Sequence, residues 1–476
     1  MSKPRINFLS QDELDAIHNA SLKVLETTGI KVGSKKALDV LKKAGAKVDY
    51  TSNHASIPRN LVQEALGMAP KTITYAARNS KNDFVLDKQE PHFCADGSAP
   101  FIIDGETGER RYSTSDDIAR CATIADYLDH VHVVWRMATA MNVPQPMQNI
   151  VGMYTCLSNT EKHFEGGISS GKEAQYAIEI AAAIVGGREK LKKRPIISAI
   201  ECPFSPLTYE KRIMEASMEL AEAGIPVVIY TMPRVGATGP ATLSGTMVMN
   251  NAEFLGGLVV LEFASPGAPV VYAIDASTMD FKTGSACGSP EAKLMDVGLA
   301  QLAYRYGLPT EREASWGSSR ILDAQAGYSK AISLITCMLT APDIILGLGG
   351  LADGTCPEAM VFDNGIMDYA LGFTRGFEVN DDALAVDLIN KVGPGGNFLG
   401  EKHTLDHFRE RWISRFSVDS FETWQRKGSK SIAKVAKEQT AEILATHKPE
   451  PIPEDIEKQI SEILKRAEAE GAELLT

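Results

Sequence analysis

Eight apolar extended segments alternate with helical segments along most of this chain. The extended segments lie at His130–Met137, His163–Ser169, Pro195–Cys202, Pro226–Met232, Pro269–Asp275, Pro309–Ser315, Asp343–Leu348 and Gly376–Asn380. Eight strand and helix units over roughly 270 residues match the size of a closed barrel better than that of an open doubly wound sheet. The sequence therefore predicts an α/β fold, a (β/α)₈ TIM barrel with an α+β N-terminal extension and a helical C-terminal extension.

The regions flanking this alternation have different patterns. Residues 1–114 predict an α+β region that begins with a capping box at Ser10–Glu13 and ends with a hairpin at Phe101–Tyr112. Residues 115–392 are assigned to the barrel. Residues 393–476 begin with a Gly-rich loop and continue as helices, which we expect to pack on the barrel.

Charge and cysteine content exclude several classes of protein. A net charge of −12 argues against a nucleic-acid surface or an anionic membrane surface. The first residues are too polar for a secretory signal, and no uninterrupted apolar run approaches the roughly 20 residues that span a bilayer. The seven cysteines are odd in number and include no C-x-x-C pair, so neither a disulfide framework nor a metal site is indicated. We expect a cytoplasmic protein with reduced thiols, of which Cys202 merits a functional test.

The carboxyl ends of the predicted strands carry acidic and aromatic residues. Barrel enzymes place their chemistry on the loops at these ends. Carboxylates together with Trp and Tyr suit a permanent cation such as a quaternary ammonium. Because this group has no N–H to donate, it is held by aromatic faces and opposite charge. The predicted catalytic residues are Glu201 and Glu313. The predicted substrate-binding residues are Trp316, Tyr230, Arg312, Asp275, Gly349 and Gly350.

Structural explanations compete with this interpretation. Trp316 could cap the barrel end, and about half of the carboxylates could pair with arginines as struts between strands and helices. The pair His403 and His407 has the i, i+4 spacing of a zinc helix but lacks the Glu of H-E-x-x-H, so a role in helix capping or loop anchoring is favoured. Gly347–Gly350 follows a predicted strand but does not complete a nucleotide-binding motif. A close approach of this glycine backbone to a planar ligand stays an alternative.

Several Gly- and Pro-containing motifs resemble one known family across nearly the whole chain. The longest is G-P-G-G-N-F-L-G-E-K-H-T-L-D-H-F at Gly393–Phe408. The others are Gly239–Gly245, Asn250–Glu253, Ser265–Pro269, Thr283–Gly284 with Gly288–Glu291, and Asp323–Tyr328. Together they resemble the trimethylamine methyltransferase superfamily.

This resemblance implies a (β/α)₈ methyltransferase that moves a methyl group from a methylated amine to the cobalt of a corrinoid carried by a separate protein. The trimethylamine enzymes carry pyrrolysine, whereas this chain is written in standard residues. That departure indicates the non-pyrrolysine branch, which is similar to glycine betaine and other quaternary amine methyltransferases. Relatives often have a Thr/Ser-Asp-Ser/Ala-Lys run where this chain has Trp316–Arg320, so the betaine it accepts stays open.

The expected partners are therefore a small quaternary amine, a corrinoid carrier protein and further copies of the chain, with no cofactor or metal bound by the chain itself. Two other functions stay open. One is a different barrel enzyme, such as a lyase that uses Glu201 or Glu313 as base, because fold alone does not fix function. The other is a non-catalytic betaine-binding protein.

Overall fold

The protein is described by a computed structural model that covers residues 3–275, 277–287, 289–314, 319–352, 354–410, 412, 414, 416, 419–471 and 474. The strands are β1 (Ile30–Val32), β2 (Lys47–Asp49), β3 (His54–Ser56), β4 (Ile73–Tyr75), β5 (Phe84–Leu86), β6 (His92–Ala95), β7 (Phe101–Ile103), β8 (Arg110–Tyr112), β9 (Val131–Trp135), β10 (His163–Gly167), β11 (Ile197–Glu201), β12 (Thr208–Tyr209), β13 (Val227–Thr231), β14 (Arg234–Val235), β15 (Val270–Ile274), β16 (Ser277–Met279), β17 (Ala286–Cys287), β18 (Thr310–Glu313), β19 (Ile344–Leu348), β20 (Gly350–Leu351) and β21 (Gly354–Thr355). The α-helices are α1 (Gln11–Thr27), α2 (Lys35–Ala44), α3 (Arg59–Met68), α4 (Ser115–Tyr127), α5 (Gln148–Ser158), α6 (Gly171–Val185), α7 (Arg188–Lys193), α8 (Lys211–Glu222), α9 (Leu243–Ala264), α10 (Pro290–Tyr306), α11 (Ala324–Met338), α12 (Pro357–Thr374), α13 (Asp381–Leu384), α14 (Val386–Val392), α15 (Lys402–His407), α16 (Phe421–Arg426), α17 (Ile432–Thr446) and α18 (Glu454–Ala469).

Eight parallel strands close into a barrel in the order β6, β9, β10, β11, β13, β15, β18 and β19, with β19 paired back to β6. This arrangement confirms the predicted fold class. Seven of the eight strands fall where the sequence predicts them. The eighth prediction, Gly376–Asn380, is wrong, because the barrel's first strand is His92–Ala95, inside the predicted N-terminal region. The barrel therefore begins before residue 115.

Side-chain alternation along the strands separates two apolar clusters. One face of each strand points outward to the helices and joins the main core, which includes Ala199 and Ile229. The other face points into the barrel, where Val133, Ile200 and Val228 form a separate cluster. Since successive side chains of a strand point to opposite sides, residue parity decides which side chains line the barrel interior.

The N-terminal region packs beside the barrel. The predicted capping box is confirmed, because the Ser10 hydroxyl accepts from the Glu13 amide at 3.3 Å while the Glu13 carboxylate accepts from the Ser10 amide at 2.8 Å. The predicted hairpin is confirmed as the antiparallel pair β7 and β8. Helices α1, α2 and α3 pack on α9. Helix α9 is long and apolar enough to cross a membrane, but 78% of its most apolar window is buried inside the protein, as in a core helix.

The C-terminal region contains helices with buried residues and a stretch without any. Helix α17 packs on α12 and α4, and α18 packs on α6. Residues 393–430, predicted to pack with them, include no buried residue in their described part. Within this stretch the Phe416 ring lies 6.2 Å from Phe362 and the Trp412 ring 4.9 Å from Tyr369, so it also contacts α12.

Candidate functional site

Three polar side chains meet inside the carboxyl end of the barrel. Tyr230, Asp275 and Glu313 stand on or directly after the neighbouring strands β13, β15 and β18. The Tyr230 hydroxyl donates to the Glu313 carboxyl at 3.2 Å, and Glu313 is hydrogen-bonded to Asp275. The fold thus brings together three residues that the sequence analysis assigned to the site, and their roles in catalysis and substrate binding stay predictions.

Burial controls the charge of this cluster. Burial first, and then the negative charge of Asp296, raise the pKa of Asp275 to about 6. The pKa of Glu313 lies well above its ordinary value because of burial first, then repulsion by Asp275 and Asp96. Two carboxyl groups this close cannot both ionise at neutral pH, so the pair shares one proton and carries one negative charge.

Trp135 is an aromatic residue that the sequence analysis did not single out, and it packs against the same interior cluster as Tyr230. It ends strand β9 on the same face as Val133 and packs against the barrel's interior cluster. The backbone of Gly97 covers part of the indole, since a Cβ added there would lie 2.3 Å from the ring. The indole N–H is buried with no hydrogen-bond partner among the described residues. The sequence could have indicated this, because side chains two residues apart on a strand point to the same side. Trp135 therefore faces inward like Val133, whereas the adjacent Arg136 faces the other way.

Gly167 leaves open space at the end of strand β10. A Cβ added at Gly167 would meet no described heavy atom within 4 Å. This strand lies between β9, which carries Trp135, and β11. A side chain larger than hydrogen at this position would therefore extend into open space rather than into the packed core.

A second carboxyl pair, Glu165 and Glu311, lies deeper inside the barrel. Glu165 accepts hydrogen bonds from the Ser198 hydroxyl at 2.8 Å and the Tyr75 hydroxyl at 3.4 Å, and burial raises its pKa to about 7. Both oxygens of Glu311 are buried without a protein donor in the described part of the chain. Burial and the neighbouring Glu165 raise the pKa of Glu311 well above its ordinary value. Glu311 therefore holds the proton that the pair shares.

Two predicted site residues point away from the interior. Glu201 accepts a hydrogen bond from Ser217 of α8, and Arg312 donates to Thr340 and pairs with Asp296 of α10 at 3.4 Å. The prediction that Glu201 lies opposite Tyr230 is therefore wrong, and so is the placement of Arg312 in the site. Their strand neighbours Ile200 and Glu313 face inward instead. Arg312 is the strut between strand and helix that the alternative explanation expected.

The predicted glycines approach protein side chains closely. Gly349 has a φ of +88°, and a Cβ there would lie 2.3 Å from the Met137 methyl. A Cβ at Gly350 would lie 1.8 Å from the carboxylate of Asp96. These close approaches explain the glycines through packing of the chain itself. Trp316 lies outside the described residues.

Cys202 lies next to the interior cluster, two residues beyond the inward-facing Ile200. Burial, with the charges of Glu201 and Asp275, raises the pKa of its thiol to about 12. The thiol is therefore protonated at neutral pH and is not an activated nucleophile. In the described part of the chain, no group of three or more His, Cys, Asp or Glu residues is arranged to hold a metal ion.

Comparison with known proteins identifies relatives of this chain. The family model described as trimethylamine methyltransferase (MTTB) matches residues 1–472. The chain belongs to the trimethylamine methyltransferase family. Within this family it is 36% identical to trimethylamine methyltransferase MttB of Desulfitobacterium hafniense strain DCB-2, over 97% of this chain and 94% of that protein. It is 31% identical to glycine betaine methyltransferase of D. hafniense strain Y51, over 99% of both.

The fold also has a solved counterpart. The Methanosarcina barkeri monomethylamine methyltransferase aligns over 92% of this chain and 89% of its own, with a TM-score of 0.54 and 10% sequence identity. This likeness supports the barrel architecture of the chain. The resemblance found in the sequence motifs is confirmed by the family match.

Proposed function

We propose that this chain transfers a methyl group from a quaternary amine to the Co(I) corrinoid of a separate carrier protein. The observation that carries the proposal is the cluster of Tyr230, Asp275 and Glu313, with Trp135 on the same interior face. One negative charge and two aromatic rings match the requirements of a permanent cation without N–H groups. The names of the relatives, which include trimethylamine and glycine betaine methyltransferases, support a methylated amine as substrate.

The proposed reaction is an in-line displacement. The N–CH₃ bond breaks, its electron pair stays on nitrogen, and the amine leaves as a neutral tertiary amine. The electron pair of Co(I) forms the new Co–C bond, which gives methyl-Co(III). No proton moves, so the role of the chain's residues is to desolvate the ammonium and orient one methyl group toward the open end of the barrel.

The shared proton of Asp275 and Glu313 suits this reaction. The positive charge on nitrogen decreases as the methyl group leaves, so any anion near nitrogen stabilises the substrate more than the transition state. A single negative charge recognises the cation at a smaller cost to the rate than two charges would. The donor Tyr230 supports this state because its hydroxyl hydrogen-bonds to Glu313.

The same features bear on the other two functions. A lyase that used Glu201 or Glu313 as its base would need that residue ionised inside the barrel, but Glu201 faces α8 and Glu313 retains a proton. A binding protein without catalysis would use the same cluster. We retain a cytoplasmic location, a corrinoid carrier and a homo-oligomer as parts of the proposal, together with the non-pyrrolysine branch.

The decisive experiment mixes the purified chain with a reduced corrinoid carrier and a panel of quaternary amines, including glycine betaine. Formation of methyl-Co(III) is followed by its absorbance, and the demethylated amine is measured in the same sample. We expect both products in equal amounts with one class of amine. Tight binding of an amine with neither product would identify a binding protein and refute methyl transfer.

A further inference from the structure

A cavity of about 390 Å³ opens at the amino end of the barrel, opposite the end that carries Tyr230, Asp275 and Glu313. Its walls come from the first residues of β6 and β9, the ends of α11 and α12, and residues 3–5. Its volume lies in the range of small-molecule pockets. The apolar side chains of the wall are Phe93, Met338, Pro342 and Leu371. The cavity therefore suits a small molecule with an apolar part.

The charged side chains of this cavity are mostly basic. They are Lys3, Arg5, Lys88 and Arg375, against one acidic residue, Glu90. Among the described residues, none of the four basic side chains lies within ion-pair distance of a carboxylate. The chain has 61 acidic and 49 basic residues, so a group of unpaired basic residues around one cavity runs against its overall composition.

The hydrogen bonds that these basic groups make go to carbonyl oxygens. Lys88 Nζ donates to the Gly307 carbonyl at 2.8 Å, and Arg375 donates to the carbonyl of Glu410. Arg5 donates to the carbonyl of the preceding residue at 3.5 Å. A carbonyl oxygen does not neutralise a cation, and an ammonium has three donors and a guanidinium five. These groups therefore keep their charge and most of their donors for an anion.

Hydrogen bonds hold the segment before α1 across the amino end of the barrel. The Ile6 amide donates to the Leu339 carbonyl at 3.1 Å. The Gln301 side chain accepts from the amides of Phe8 and Leu9 at 3.1 and 3.2 Å. These contacts tie residues 6–9 to α10 and to the end of α11. The two basic residues of the segment are thereby placed at the cavity.

Lys88 reaches the cavity from the turn between β5 and β6. Its φ of +64° is unusual for a residue with a side chain, and its amide donates to Asp343 at 2.7 Å. The other oxygen of Asp343 accepts from the Thr310 amide at 2.8 Å. Backbone amides thus occupy both oxygens of this nearby carboxylate, which is not part of the cavity wall.

The imidazole of His132 adds a neutral donor to the wall. Its Nδ1 accepts from the Phe93 amide at 3.2 Å, so the ring proton is on Nε2. Burial first, and then repulsion by His92 and Lys162, lower the pKa of His132 to about 3. The ring is therefore uncharged at neutral pH and presents an N–H rather than a second acceptor.

Helix ends account for only part of the basic charge. Helices α11 and α12 end at the cavity, and each carboxyl end carries about half a negative charge. With Glu90 they offset about two of the four positive charges, and counting Asp343 as well still leaves about one. The cavity therefore has more positive charge than the helix ends require.

We propose that this cavity binds a small molecule with an oxyanion, a carboxylate or a phosphate ester, attached to an apolar group. Arg5, Lys88 and Arg375 donate charge-assisted hydrogen bonds to the oxyanion, and Lys3 adds charge beside it. The apolar wall contacts the rest of the molecule. This site lies at the opposite end of the barrel from the proposed methyl transfer and does not depend on it.

The test is titration calorimetry of the purified full chain with phenyl phosphate, benzoate and benzyl alcohol. The first two carry the candidate oxyanions on the same ring, and benzyl alcohol carries that ring without a charge. We expect at least one of the two anions to bind at least about tenfold more tightly than benzyl alcohol. The tighter of the two identifies the oxyanion. Excess glycine betaine should not displace it, because the two ends of the barrel are separate.

The double substitution Arg5→Gln with Arg375→Gln removes two exposed cations of the cavity. An exposed charge pair contributes about threefold to affinity, so the pair of substitutions should weaken anion binding about tenfold. The matched control is Lys458→Gln with Lys465→Gln, two exposed positions of α18 that change the net charge equally. Arg5→Gln alone should weaken binding about threefold with an unchanged melting temperature.

The bound anion should also raise the melting temperature of the native chain and of the lysine control, since it binds only the folded protein. The proposal is overturned if neither anion binds, or if benzyl alcohol binds as tightly as both. Native affinity in the double variant would overturn it too, and a lowered melting temperature there would show that the arginines serve only the fold. If the double variant does not fold, unchanged affinity in Arg5→Gln overturns the proposal. No measurement involves a corrinoid carrier, so failure of the methyltransferase assay would leave this result interpretable.

Discussion

Substitution of Asp275 by Asn should remove the pH dependence of quaternary amine binding. Only the ionised carboxyl attracts a cation, and its pKa is raised to about 6 by burial. One pH unit below that value about one carboxyl in ten is ionised. The affinity of the native protein should therefore rise about tenfold between pH 5 and pH 7.5 and then stay constant.

The Asn variant should also bind more weakly at every pH above 6. A carboxylate about 4 Å from a cation contributes about 4 kcal/mol at the effective dielectric constant typical near a protein surface. Solvent at the barrel opening reduces this contribution, so a loss of about 100-fold is expected. The two proteins should converge toward pH 4, where only about one Asp275 carboxyl in a hundred is ionised in the native chain.

The assay is titration calorimetry with glycine betaine at several pH values. The ligand control is 3,3-dimethylbutanoate, which has the same three methyl groups on carbon and no positive charge, so its affinity should not follow the ionisation of Asp275. The protein control is Glu201→Gln, because burial also raises the pKa of Glu201, to about 7, while its side chain faces α8. If Asp275→Asn kept the native affinity and pH profile, or if Glu201→Gln flattened that profile, Asp275 would not be the counter-ion of the ligand.

Three further outcomes are expected. Trp135→Ala should weaken binding of glycine betaine about 30-fold in calorimetry, which corresponds to a desolvated cation–π contact of about 2 kcal/mol, and Trp135→Phe should recover part of the loss. The same two substitutions at Trp316 test the sequence prediction for that residue. Unchanged affinity in a folded Ala variant would refute the role of the residue concerned. The stability contributed by the Glu201 carboxyl falls as pH rises from its unfolded value near 4.5 through about 7, so Glu201→Gln should raise the melting temperature relative to the native chain at pH 8 but not at pH 4, with methyl transfer unchanged. Gly167→Val should fill the opening beside β10 and raise the KM for bulky amines in the methyl-transfer assay while the melting temperature stays the same; a lower melting temperature with an unchanged KM would place Gly167 outside the site.

Periodic features of the sequence predict the barrel well, and the two errors have physical causes. Strand β6 has four residues, too few to show alternation among its neighbours. The segment around Phe377 and Val379 alternates like a strand, but its apolar side chains are exposed to solvent. Alternation of apolar and polar residues is compatible with a strand but does not show that the apolar side chains are buried.

The sequence placed its candidate residues at the strand ends, but it did not establish which of two neighbouring residues faces the barrel interior. Tyr230, Asp275 and Glu313 face inward, whereas Glu201 and Arg312 face the helices. Parity would have corrected these two assignments, because a one-residue shift moves every side chain of a strand to the other face. Arg312 and Glu313 are adjacent ionisable residues on one strand, and either could face the barrel interior while the other faces the helices. The sequence alone therefore did not show which of them lies in the site.

The deeper carboxyl pair constrains how this barrel can change over evolutionary time. Glu311 already carries the proton, so a change to Gln at that position would keep the local charge and replace one neutral group by another of similar shape. A change of Glu165 to Gln would instead leave the hydroxyls of Ser198 and Tyr75 facing an amide, and would let Glu311 ionise more easily once its charged neighbour is gone. The two glutamates are the same residue type, but substitution by Gln is expected to be tolerated better at Glu311 than at Glu165.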